Sequence, residues 1–130
     1  MMNYMKFLGA GLGVLIAGCA SPPMQIEGLK FVNETGIPVK RVKLQVVKTF
    51  EAASCSYISP GTDFSTQFPL KNYQGNEIKV TWKDRGGSHD FGPTVIALPD
   101  PVPAEPVMAV IVLKPAGRAT ASFRVEQDAE

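Results

Sequence analysis

EIKVTWK, residues 77–83, alternates strictly. Ile78, Val80 and Trp82 fall on one side, and Glu77, Lys79, Thr81 and Lys83 on the other. A period of two is the mark of a strand with one face in a core and one in water. The same pattern recurs on both sides of this stretch. Leu29 and Phe31 flank Lys30, and Val42, Leu44 and Val46 alternate with Lys43 and Gln45. Phe64, Thr66, Phe68 and Leu70 share a phase, as do Ala119, Ala121, Phe123 and Val125. VMAVIVL, residues 107–113, is apolar throughout and rich in Val and Ile, which predicts a central strand covered on both faces. Strands are expected near 26–33, 39–50, 54–58, 63–69, 77–83, 93–98, 107–113 and 119–126.

The gaps carry turn chemistry. Ser59-Pro60-Gly61-Thr62 suits a type II turn and Lys114-Pro115-Ala116-Gly117 a type I turn. Tyr73-Gln74-Gly75-Asn76 reads as a hairpin connection, and Arg85-Gly86-Gly87-Ser88 as a flexible loop. No stretch after residue 25 shows a capped helical stripe. Seven or eight short strands predict an all-β, antiparallel sandwich, with a small closed barrel as the alternative. The architecture resembles immunoglobulin-like and fibronectin-like domains, with Trp82 as a candidate core tryptophan; the paired cysteines of antibody domains are missing.

The chain has 130 residues, 45% hydrophobic and 19% charged, enough apolar material for one packed domain. Thirteen Lys and Arg stand against 12 Asp and Glu. That balance leaves no basic field for nucleic acid, and no nucleic-acid partner is expected.

The N-terminus reads as a targeting segment. Lys6 precedes an uncharged run, FLGAGLGVLIAG, over residues 7–18. Twelve residues are too few to span a bilayer, which needs about 20. A cation, a short apolar run and a small-residue end have the form of a secretory signal. Translation can start at Met1, Met2 or Met5, since MKFLGAGLGVLIAGC is a complete signal by itself. Ile16-Ala17-Gly18-Cys19 resembles the lipobox of bacterial lipoproteins. The resemblance implies cleavage after Gly18, removal of residues 1–18, and lipid on the Cys19 thiol and on its new amine. Residues 19–25 then form a lipidated anchor and a tether stiffened by Pro22 and Pro23. Ala20 lacks the aspartate common in lipoproteins kept in the inner membrane, so the outer membrane, facing the periplasm, is the expected site. Residues 26–126 form the sandwich and 127–130 an acidic tail.

Lipid on Cys19 leaves Cys55 single. A buried apolar side chain is the expected state, with an intermolecular disulfide or a reactive thiol as the functional alternatives. His89 is the sole histidine, with Asp90 adjacent and Asp84 five residues earlier. One histidine is too few to predict a metal site, and a Cys55–His89 or Ser88–His89 catalytic pair requires long-range folding. No cofactor is expected. Residues 99–106, PDPVPAEP, hold Pro99, Pro101, Pro103 and Pro106. This stiff connection and the 84–92 loop, with Phe91 as an apolar anchor, are candidates for a shared interaction face. Tyr73 is either an exposed contact or a cap on the core.

These features predict a non-catalytic envelope lipoprotein, held at the membrane by Cys19 and binding a protein partner, in an envelope or secretion assembly. The alternatives are a small-molecule or metal binder or enzyme using Cys55 and His89, and a surface adhesive or stress lipoprotein.

Overall fold

The computed structural model of the protein describes residues 24–125. Cys19, Gly18 and the acidic tail lie outside the described residues. Among these residues eight strands follow one another: β1 Ile26–Asn33, β2 Val39–Val46, β3 Ala52–Ile58, β4 Asp63–Thr66, β5 Glu77–Asp84, β6 Gly87–Val95, β7 Val107–Lys114 and β8 Arg118–Val125. They form two four-stranded sheets, β8-β7-β1-β4 and β3-β2-β5-β6, packed face to face. The fold is a β-sandwich, and the closed barrel is excluded.

The alternation of EIKVTWK is what seats β5. Ile78, Val80 and Trp82 are buried, while Glu77 and Lys83 are exposed. They meet Leu29 and Phe31 of β1, Leu44 of β2 and Ile111 and Leu113 of β7 in one core. Each such side chain withdrawn from water stabilises the fold by about 1.5–3 kcal/mol. β7 lies inside its sheet, between β8 and β1, and Val107 through Leu113 are buried apart from Met108. Its pairing with β1 is parallel, from Ile26↔Val107 to Asn33↔Leu113, so this sheet is mixed. All other strand pairs are antiparallel.

Several connections differ from expectation. β2 stops at Val46 and β4 at Thr66. Phe68 is buried from a loop, while Phe64 of the edge strand β4 is exposed. Residues 67–76 cross from one sheet to the other, so Tyr73-Gln74-Gly75-Asn76 is not a hairpin turn. The hairpin is one step later. Arg85 and Gly86 alone join β5 to β6, and residues 87–92 are strand, not loop. Gly92, at φ 98 beside a cis Gly92–Pro93 bond, lies where the β5–β6 register shifts between Ile78 and Val80. A Cβ there would lie 2.7 Å from the Ile78 carbonyl oxygen, so only glycine fits. The type II turn at 59–62 forms, with Gly61 at φ 75 and the Thr62 amide donating to the Ser59 carbonyl at 3.2 Å. The expected type I turn at 114–117 does not, because Ala116 takes φ 66 where that turn needs about −90°.

Strand directions define two ends. The chain enters at Met24, and the 47–51, 67–76 and 96–106 connections share that near end. The 34–38, 59–62, 85–86 and 115–117 connections share the far end. Asn33, fully buried, stitches the far end: its Nδ2 donates to Ile37 and Ile58 carbonyls at 2.8 and 3.0 Å. Its Oδ1 accepts from the Thr35 amide and hydroxyl at 2.9 and 2.6 Å.

Candidate functional site

His89 sits on the edge strand β6, opposite Trp82 and therefore on the core side of the sheet. Its Nε2 lies 3.0 Å from each carboxylate oxygen of Asp84, at the end of β5. Asp84 Oδ1 also accepts the Gly86 amide at 2.7 Å. Burial pushes the Asp84 carboxyl up. The hydrogen bond from His89, the Gly86 amide, the His89 charge and the Gly87 amide outweigh it, and the group ends below its ordinary 3.8. The imidazole is tilted against Trp82, ring centres 5.5 Å apart. Its Nδ1 lies 2.9 Å from where a Cβ on Gly117 would stand, so this turn must be glycine for the ring to pack. The triad of Asp84, His89 and Gly117 therefore clips the β5–β6 hairpin to the turn of the opposite sheet.

Cys55 is in β3, at the other edge of the same sheet. It pairs with Val42 on β2, His89 pairs with Trp82 on β5, and β2 and β5 are neighbours. Three strand spacings separate the two backbones, about 14 Å, so a Cys55–His89 pair is not assembled. Cys55 is 7% exposed, belongs to the core, and its Sγ lies 3.4 Å from the Tyr57 carbonyl oxygen. Among the described residues no group of three or more His, Cys, Asp or Glu is placed to hold a metal ion.

The proposed joint face does not form. His89 is two residues from the far-end turn, and the 99–106 connection is at the near end. Phe91 is half-buried against the core rather than an exposed anchor. Pro101 and Pro106 are exposed, and Pro99 and Pro103 half-buried. Tyr73 is a core cap, not an exposed contact. Its ring packs edge-on against Phe123 at 5.0 Å and Phe68 at 6.3 Å. Its hydroxyl accepts the Ile96 amide at 2.9 Å and donates to the Asn76 carbonyl. This ties the 67–76 connection to the start of the 96–106 one.

One surface was not anticipated. The outer face of the β3-β2-β5-β6 sheet holds a groove of about 590 Å³, bordered by Arg41, Lys43 and Lys83 and by Ser54, Ser56 and Thr81; Cys55 and His89, though their side chains lie on the core side, also line it. Asp90 is its one carboxylate. Among the described residues none of the three cations forms an ion pair. The groove lies over a bulge in β2: Arg41 takes φ 53, and the β2–β5 register shifts between Lys40 and Lys43. The extra residue leaves Val39 and Val42 both inward and turns Lys40 and Arg41 out together. The legible signal was the three-residue spacing of Val39 and Val42 in VKRVKLQV, which breaks the period of two. No protein-family model, no curated protein and no solved structure matches this chain.

Proposed function

We propose that the protein is an envelope lipoprotein, cleaved after Gly18 and anchored by lipid on Cys19, whose β-sandwich is a non-catalytic interaction module. The anchor rests on the order of Lys6, the uncharged run and Ile16-Ala17-Gly18-Cys19. The observation that carries the module is how its reactive side chains are used. Cys55 is packed in the core on one edge strand, and His89 is held by Asp84 and Trp82 on the other. Both act in the fold, which leaves loops and outer faces as the working surfaces. The outer membrane, facing the periplasm, is the proposed location, with a protein partner in an envelope assembly.

Cys19→Ala tests the anchor. The variant should accumulate as a larger, unprocessed or soluble form that takes up no labelled fatty acid. Normal processing with membrane retention would sink the reading. Crosslinking from membranes, comparing wild type with a variant shortened at 99–106, tests the module.

A second reading, binding of a small anionic ligand, is favoured by the groove. Three cations without ion-pair partners among the described residues, and several hydroxyls, suit a phosphate- or carboxylate-bearing molecule, and the volume lies in the ordinary ligand range. Titration with inorganic phosphate and simple dicarboxylates, followed by amide shifts around Arg41 and Thr81, tests it; unmoved resonances would rule it out.

A further inference from the structure

We propose that the near end of the sandwich is a membrane-contact surface, which inserts apolar loop tips into the bilayer that carries the lipid on Cys19. The inference rests on the anchored reading above and goes beyond it, since an anchor by itself leaves the domain free to face any way.

The first observation is where exposed apolar side chains fall. Large hydrophobics are exposed at Val47, Phe50, Tyr57, Phe64, Val95, Leu98 and Val102. Five of these seven lie at the near end: Val47 and Phe50 between β2 and β3, Val95 at the end of β6, Leu98 and Val102 in the connection to β7. The β2–β3 turn and the end of β6 both border the start of β5 there, because the Val47 amide bonds the Glu77 carbonyl at 3.0 Å and Glu77 pairs with Val95.

The second observation is the state of Phe50. It is 74% exposed, the most open large hydrophobic among those described, and it has φ 66. The Phe50 amide donates to the Val46 carbonyl at 2.8 Å, closing the turn. A left-handed residue in such a turn is ordinarily Gly or Asn, and a bulky aromatic there is strained. The backbone holds a large apolar ring outward at a position where glycine would be easier, a pattern associated with function.

The third observation is reach. Only residues 20–23 separate Cys19 from the buried Met24 at the near end. Fully extended, those five Cα steps span at most about 17 Å. The headgroup layer on each side of a bilayer is itself about 5–7 Å thick. The loops around Met24 can therefore always reach the headgroups, while the far end lies a strand length further along the domain. Charges in the near-end connections lean acidic, with Lys48 and Lys71 beside Glu51, Glu77, Asp100 and Glu105, so nothing there attracts anionic lipid. The partner surface is accordingly a phospholipid bilayer engaged by apolar insertion, with no requirement for anionic lipid.

The test uses the mature, lipidated full chain in phosphatidylcholine vesicles. A polarity-sensitive dye is placed by Phe50→Cys, by Leu98→Cys and, at the far end, by Arg85→Cys; wild type, with Cys55 buried, gives the labelling background. Dye at 50 and 98 should shift to the blue and lose fluorescence when brominated acyl chains replace ordinary ones, and dye at 85 should do neither. Circular dichroism and a cooperative melt establish that each variant is folded, and mass spectrometry reports the lipid on Cys19. Lipid present with dye at 50 and 98 still in water overturns this inference alone. Absence of lipid from Cys19 overturns the anchored reading and this inference with it.

Discussion

Tyr73→Phe should destabilise the domain more than its small chemical change suggests. The ring would remain, wedged edge-on against Phe123 and Phe68. The hydroxyl would go, and with it the acceptor of the Ile96 amide, 2.9 Å away at a buried position. A buried donor left without an acceptor costs about 1–3 kcal/mol, whereas an ordinary exposed hydrogen bond costs far less. In a domain of this size each kcal/mol lowers the melting temperature by about 4–8 °C. Urea unfolding followed by the fluorescence of Trp82, the single tryptophan, measures the loss directly. Amide exchange adds a local readout: Ile96 should lose protection while the β7 amides keep theirs relative to global stability. The hydroxyl also predicts a pH effect. Burial raises the Tyr73 pKa above 10.0, against the lowering effect of the Ile96 amide and with a further rise from Glu77. A folded-state pKa above the unfolded one gives stability that is complete below the unfolded value and is lost as pH rises through the folded one. The wild type should therefore weaken above pH 10.0, and Tyr73→Phe should flatten that alkaline limb. An unchanged urea midpoint, together with unchanged protection at Ile96, would refute the account of Tyr73 as the pin between the two near-end connections.

Gly92→Ala should cost at least about 1–3 kcal/mol, since it forces a side chain into a left-handed site and against the Ile78 carbonyl 2.7 Å away; a melting temperature within a degree of wild type would contradict this. Asp84→Asn should flatten the acid limb of stability. The Asp84 pKa lies below 3.8, so its contribution is complete above the unfolded value and lost as pH falls through the folded one; urea midpoints between pH 6 and 2 follow it, and parallel curves for variant and wild type would count against the clip. Cys55, as a core thiol, should resist a thiol reagent in the folded mature protein and react fully in denaturant; rapid native labelling at Cys55 would reinstate the reactive-thiol reading.

The parts of the fold that could be read from the sequence are those where one physical cause acted alone. EIKVTWK and VMAVIVL were legible because burial on one face, or on two, sets the hydrophobic period directly. The misreadings cluster where a second cause intervened. Gly86-Gly87 and Gly92-Pro93 hid the first part of β6, residues 87–92, because residues that punctuate most sequences are tolerated in an edge strand with a bulge. Phe68 kept the phase of Phe64, yet the chain left the sheet at Thr66 and buried Phe68 from a loop. The apolar run gave no hint that β7 pairs parallel to β1, since pairing partners are set by the whole topology and not by local composition. The groove stayed hidden for a related reason: a bulge adds one residue to one strand, and its effect on three cations appears only when neighbouring strands are in place.

The misreading of β6 bears directly on function. A loop over residues 84–92 would let His89, Phe91 and the prolines of 99–106 share one face. With β6 in place, the strand itself spans the gap between them, nine residues from Gly87 to Val95. At about 3.4 Å per residue it holds the far-end turn roughly 30 Å from the near-end connection. The polar residues then divide by end. Asn33, Asp84 and His89 hold the far end together through buried or half-buried hydrogen bonds. Tyr73 performs that task at the near end with one hydroxyl, and around it Phe50, Leu98 and Val102 are left in the open. A loop-built end that exposes five large apolar side chains among charged ones lies beside the point where the chain enters at Met24, and a stitched end lies opposite. That asymmetry fits the proposed contact of the near end with a bilayer, since side chains that enter lipid gain by being apolar while an end left in water gains by pairing its own polar groups.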